Sequence, residues 1–286
     1  MSTPAIAVMP YGGKLGKSLA ARPLSEMIWP LGCPERLIGR QVKDMAKDDH
    51  LIVFSKRAMH FQSHRGCPAQ ISMMVMEPKI MSLAHHRMLR LSHRRFFRVF
   101  TYDPDLLARL PNGLMLPYGT TWVPDWRQLD TTKTTDLSLI ASAKNDHPGH
   151  KLRHQIVTYL QAHMPEAQIL GRGYTPFEDK AEGLAPYRYS VVIENVQEPN
   201  YFSEKLIDAI LCETVPIYWG CPNVTDFFSG DGMILCTDQQ DFETALKTIG
   251  PDDYARRLPA LRALKEQASA FCDLPLRAAL ALQNSL

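Results

Sequence analysis

The chain has 286 residues, of which 45% are hydrophobic and 22% charged, with a formal net charge of +2. This balance is that of a globular protein rather than a disordered chain, and it gives no whole-molecule reason to bind nucleic acid. The length exceeds what a single core usually serves, so two domains are expected.

Short apolar runs alternate with helical patterns. In the first half the strand candidates are AIAVM (5–9), HLIVFS (50–55), QISMMVM (70–76) and FFRVFTY (96–102), with helical stretches around 34–46 and 80–92. The glycine-rich PYGGKLG (10–16) lacks phosphate-loop spacing and a following Ser or Thr, so it reads as a turn. Basic residues cluster in HHRMLRLSHRRFFR, from His85 to Arg98. The simplest account of that cluster is a solvated amphipathic helix running into a strand. A locally positive surface there would also attract an anionic ligand or membrane lipid, which makes peripheral membrane association compatible with the sequence. Asp103–Pro104–Asp105 has the outline of an Asp-x-Asp metal motif, but aspartate is a good N-cap and proline favours a first turn, so it is read as the start of helix DLLARL.

A Pro-, Thr- and Gly-rich stretch from Leu110 to Thr135 reads as an interdomain linker. The alternation then restarts with DLSLIASA (136–143), helix 150–164, strand AQILG (167–171), helix TPFEDKAEGL and strand YRYSVVIEN. Next come helix SEKLIDAILCE, strand TVPIYWG, the run GMILC, helix DQQDFETALKTI and a long helical stretch from Asp252 to about Cys272. Strands and helices at this spacing indicate parallel sheets of βαβ units. The expected fold is therefore α/β, with two Rossmann-like domains, 1–130 and 131–286, whose mostly parallel sheets face a central cleft. In such sheets ligands sit beyond the carboxyl ends of the strands. The six cysteines form no CxxC pair, no apolar run reaches bilayer length and the first residues lack a signal-peptide pattern. A cytoplasmic location is the expectation. His60, His64, His85, His86 and His93 form no ligand-spaced set.

The most informative stretch runs from Tyr187 to Val224. A buried strand (Val191, Val192, Ile193) ends in Glu194–Asn195, a loop carries Pro199 and Tyr201, and Ser203 stands where an N-cap belongs. Glu204 and Lys205 then fall in the first helical turn, where free N–H groups and the helix dipole favour an anion. Glu204 suits that dipole in any protein. Lys205 does not, and its cost is understandable if a diphosphate occupies the site.

Glu194–Asn195, Tyr201, Ser203–Glu204–Lys205, VPIYWG (215–220) and CPNVTDFF (221–228) together resemble the donor-binding motif of glycosyltransferase family 10, the α1,3/α1,4-fucosyltransferases, in order and spacing. Looser likenesses lie at Arg153, at VMEP (75–78) and at LMLPYGTTW (114–122). The resemblance implies a GT-B-like fold with an N-terminal acceptor domain and a C-terminal donor domain. It implies inverting transfer of fucose from GDP-fucose to a hydroxyl of a glycan acceptor. Glu77 would be the general base, Arg153 and Lys205 would meet the diphosphate, Glu204 the ribose hydroxyls, and Asn195 and Tyr201 the donor pocket, with Glu194 behind them. No tightly bound cofactor is expected, and a divalent metal would at most stimulate. The Glu-x7-Glu pattern of retaining GT-B enzymes is absent, since Phe202 and Cys212 follow Glu194 and Glu204 at that spacing. Two other readings stay open on sequence alone: a GT-B transferase using another nucleotide sugar, and a non-catalytic nucleotide-sugar-binding protein on the same scaffold.

Overall fold

The computed structural model describes residues 3–13, 19–62 and 66–286. Lys14–Gly16 of the glycine-rich segment and His64 lie outside the described residues. The chain divides into two compact units, Met1–Tyr118 with Leu274–Leu286, and Gly119–Asp273. The division falls inside the expected linker, earlier than the boundary at 130, and the last thirteen residues join the first unit rather than the second.

The first unit is built on β1 (Ile6–Val8), β2 (His50–Phe54), β3 (Gln70–Val75), β4 (Val99–Thr101) and β5 (Gly113–Met115). The five strands are parallel and lie side by side in chain order. Right-handed crossovers between strands in that order put every connection on the same face of the sheet. Leu19 and Val42, Met59, Leu89 and Leu106, one or more from each connection, accordingly share a core with Ala7, Val53 and Met73. Because side chains alternate along a strand, Ile6, Val8, Ile52, Met74 and Phe100 point to the opposite face. Leu274, Ala278, Ala279 and Leu282 of the C-terminal helix (Leu274–Gln283) cover them. This is why the last residues belong to the first unit.

Most connections here are irregular. The helix expected around 34–46 is two 3-10 turns, Glu35–Leu37 and Val42–Asp44, split by Gly39 at φ +71°, a conformation that a helix does not contain. Regular helix appears in α1 (Lys79–Ser92) and in the short α2 (Pro104–Leu107). Asp103 caps α2, its carboxylate accepting from the N–H of Asp105 at 2.8 Å. Beneath α1, the His60 ring is 2% exposed and sits between Ser92 Oγ at 2.7 Å and His85 Nδ1 at 2.8 Å.

Burial, aided by the neighbouring His85, pushes the His60 pKa down to about 4. The unfolded chain takes up a proton near the ordinary value of about 6.5, which the folded chain refuses until about 4. Between those values the unfolded state binds more protons, so His60 makes the fold lose stability as pH falls through that window, by on the order of 3 kcal/mol in all. The denaturation midpoint, followed from pH 7 to pH 4.5, should fall less steeply for His60→Asn than for the wild type; equal slopes contradict this.

The second unit carries β6 (Thr135–Ile140), α3 (Pro148–His163), β7 (Gln168–Leu170), β8 (Tyr187–Ile193), α4 (Glu204–Leu211), β9 (Val215–Trp219), β10 (Ile234–Leu235), α5 (Gln239–Leu246) and α6 (Pro251–Ser269). All its paired strands are parallel, in the order β10-β9-β8-β6-β7. The chain runs from β6 outward to β7, then returns to place β8 on the other side of β6. That reversal opens a crevice beyond the carboxyl ends of β6 and β8. TPFEDKAEGL, expected to be helical, forms only the turn Lys180–Gly183, capped by Asp179. Among the described residues no helix is long and apolar enough to cross a membrane.

Candidate nucleotide-binding site

At this reversal lies a cavity of about 940 Å³, within the range of small-molecule sites. Ile140, Ala141 and Ser142 line it from the end of β6, and Ile193 and Asn195 from the end of β8. His150 and Arg153 enter from the first turns of α3, and Glu204 and Lys205 from the first turn of α4. Four of the residues singled out in the sequence, Arg153, Asn195, Glu204 and Lys205, therefore meet on one wall. Tyr201 does not line the cavity; it is 4% exposed and buried in the preceding loop. Glu77 belongs to the other unit.

Glu194 organises the wall from behind. It is fully buried and accepts from Ser203 N at 2.8 Å and from Ser203 Oγ at 2.7 Å. Ser203 Oγ in turn accepts from Lys205 N at 3.3 Å. Donors at the start of α4 that the sequence reading left for an anion are thus already satisfied inside the protein. The positive charge at this end of the cavity comes from side chains. Lys205 Nζ lies 3.5 Å from Glu194 and 3.3 Å from Glu204, so the two carboxylates also explain why a lysine is tolerated in the first turn. Burial works against its charge, but those carboxylates win and hold its pKa above the ordinary lysine value. For Glu204 burial is again the largest influence, and Lys205 and Lys180 outweigh it and keep the carboxyl ionised below its usual range.

Close packing lets the parts converge. Gly149, in the first turn of α3, donates to Asn195 O at 3.0 Å. A Cβ on Gly149 would stand 1.8 Å from Glu194 O, and one on Gly220 would stand 2.6 Å from Glu194 Cγ. Arg153, one helical turn after Gly149, is 7% exposed and donates through Nη2 to Ile193 O. Asn200 N donates to Asn223 Oδ1 at 2.8 Å and Asn223 Nδ2 to Asn200 Oδ1 at 2.9 Å, tying the loop before α4 to the turn after β9.

The sequence reading missed Lys180, Asp208 and Trp122. Lys180 lines the cavity, 2.8 Å from fully buried Asp208 and 5.0 Å from the Trp122 ring centroid. Asp208 accepts from Thr121 Oγ1 at 2.6 Å and Trp122 N at 3.0 Å, and so holds an indole that is 61% exposed on the cavity wall. After its first turn α4 is apolar except for Asp208, and a charge there is the signal that could have drawn attention to a partner.

In the first unit, Glu77 follows β3, the central strand, and is half-buried. Tyr11, in the glycine-rich turn after β1, donates to Glu77 Oε1 at 2.7 Å. Among the described residues no group of three or more His, Cys, Asp or Glu is arranged to hold a metal ion.

Residues 131–253, the larger part of the cavity-bearing unit, match the model of glycosyltransferase family 10 (fucosyltransferase), C-terminal domain. Over these residues the chain is similar to glycosyltransferase family 10. Among curated relatives, an alpha-(1,3)-fucosyltransferase of Helicobacter pylori is 36% identical over 72 residues, 25% of the chain and 15% of the relative. A human 4-galactosyl-N-acetylglucosaminide 3-alpha-L-fucosyltransferase is 27% identical over 169 residues, 56% of the chain and 44% of the relative. The chain thus spans less than half the length of these relatives. A crystal structure of an alpha1,3-fucosyltransferase with GDP-fucose superposes with a TM-score of 0.50 at 18% identity, covering 89% of this chain and 81% of the other. TarM superposes with a TM-score of 0.55 at 13% identity, covering 84% and 55%. These likenesses bear on the fold, which is GT-B.

Proposed function

We propose that the chain transfers fucose, with inversion, from GDP-fucose to a hydroxyl of a glycan acceptor. The observation that carries the reading is the convergence of Arg153, Glu204 and Lys205 on one cavity at the sheet's reversal, in a domain similar to family 10. In this reading the diphosphate lies between Arg153 and Lys205, where a guanidinium fork and an ammonium offset the charge gathering on the leaving group. Glu204, held ionised, accepts from the ribose hydroxyls, and Asn195 borders the sugar side of the pocket. Tyr201 supports the loop that presents Ser203. Glu77 accepts the proton of the acceptor hydroxyl as its oxygen bonds to the anomeric carbon. The bond from that carbon to the β-phosphate oxygen breaks, and GDP leaves with the electron pair. No catalytic metal enters this scheme. The first unit binds the acceptor and the second the donor, and the reaction runs in the cytoplasm.

Thermal denaturation with a panel of nucleotides tests the donor half. GDP and GDP-fucose at 100 times their dissociation constant should each stabilise the protein by about 2.7 kcal/mol, with UDP and CMP donors giving little. Stabilisation by UDP-sugars alone would overturn the fucose assignment. Donor turnover with a glycan array separates a catalyst from a binding protein.

A further inference from the structure

We propose that the solvent-facing side of α1 is a docking surface for an anionic lipid membrane. The helix turns Ser82, His86, Leu89 and Ser92 inward. Its outer side is not the mixed-charge surface of an ordinary solvated helix. Ile80 is 57% exposed, Met81 52%, Leu83 40% and Leu91 91%. Arg87 and Arg90 stand exposed among them, and Arg94 and Arg95 follow in the next turn. From Lys79 to Arg98 there is no acidic residue. The acids nearest the helix pair with its first residue and its inner side, not with its arginines: Asp105 with Lys79 at 2.7 Å and buried Asp103 with His86 at 3.2 Å. Arg95 Nη1 donates to Phe61 O at 3.3 Å, which brings a further ring, 69% exposed, to the same end.

The chemistry of this face selects its partner. A helix shaped only by water would place its leucines inward and alternate its charges outward. A nucleic acid would use the arginines and leave four large apolar side chains in water. An interface of acyl chains beneath phosphate headgroups takes both, with the apolar groups entering the boundary and the guanidiniums at the phosphates. Burying Ile80, Leu83 and Leu91 adds hydrophobic attraction to the electrostatic one, so binding should weaken in salt without vanishing.

Co-sedimentation of the whole protein with vesicles decides the matter. Vesicles of phosphatidylcholine with phosphatidylglycerol should carry the protein down, and pure phosphatidylcholine should not. Arg87→Glu with Arg90→Glu should lower partitioning by roughly thirtyfold or more. Leu91→Glu should lower it too, while both variants keep the wild-type thermal midpoint and its shift with GDP. Three results would each overturn the proposal: no sedimentation with anionic vesicles, equal binding to neutral ones, or variants that bind like the wild type. So would duplex DNA binding that depends on the arginines, is indifferent to Leu91→Glu, and comes without vesicle binding.

Discussion

Glu77→Gln should lower kcat by roughly 10²–10⁴-fold and leave the stabilisation by GDP-fucose unchanged. The substitution keeps size and shape, and the amide oxygen can still accept from Tyr11, now 2.7 Å from Oε1. What it loses is the capacity to take a proton. The cavity proposed to hold the nucleotide belongs to the other unit, so donor affinity serves as an internal control. Tyr11→Phe gives a companion result. It deletes the hydrogen bond that fixes one carboxylate oxygen but leaves the proton acceptor in place, so kcat should fall by about tenfold, well short of Glu77→Gln. A loss below tenfold for Glu77→Gln under single-turnover conditions would remove Glu77 as the base.

Gly149→Ala should damage the second unit severely, although it adds only a methyl group. The added carbon's three nearest neighbours would all be backbone: Glu194 O at 1.8 Å, Glu194 C at 2.9 Å and Asn195 C at 3.0 Å. No side chain can swing away, so the start of α3 must lift off the end of β8. Arg153 would then lose its hold on Ile193 O, and Glu194 would move against Ser203. Overpacking of this kind costs on the order of 3 kcal/mol, a fall of at least about 5 °C in Tm for a unit of this size, with the GDP-dependent shift lost as well. Gly250→Ala is the control, since a Cβ there meets nothing within 4 Å. A Gly149→Ala protein that melts with the wild type and still responds to GDP contradicts the packing argument.

The parts of the site that were legible in sequence are those encoded locally. The apolar run ending in Glu194–Asn195 and the N-cap at Ser203 are neighbours in the chain, and the strand–loop–helix they announce is present. Glu194's closure of the cap was not legible, because it needs Gly149 and Gly220 to approach from distant segments. Tyr11 and Glu77 are 66 positions apart, and only the pairing of β1 and β3 with β2 brings their loops together. TPFEDKAEGL has enough helix-forming residues to suggest a helix. Gly183 instead packs so tightly on Ile140, where a Cβ would be 2.9 Å from Cδ1, that the segment settles as a single turn and delivers Lys180 to the cavity. The C-terminal helix escaped because Pro275 looks like a terminator, whereas proline is equally at home in a first turn.

The sheet of the first unit, wound in one direction, also sets a timetable for biosynthesis. A ribosome delivers all five strands, and everything that packs on one of their faces, by about Tyr118. The other face, with Ile6, Val8, Ile52, Met74 and Phe100, stays bare until Leu274–Leu282 emerges, more than 150 residues later. The second unit is contiguous and can close while the first waits with an apolar surface open to chaperones or to other nascent chains. Stopping translation before Leu274 should therefore yield chains that retain a folded second unit yet aggregate through their beginnings.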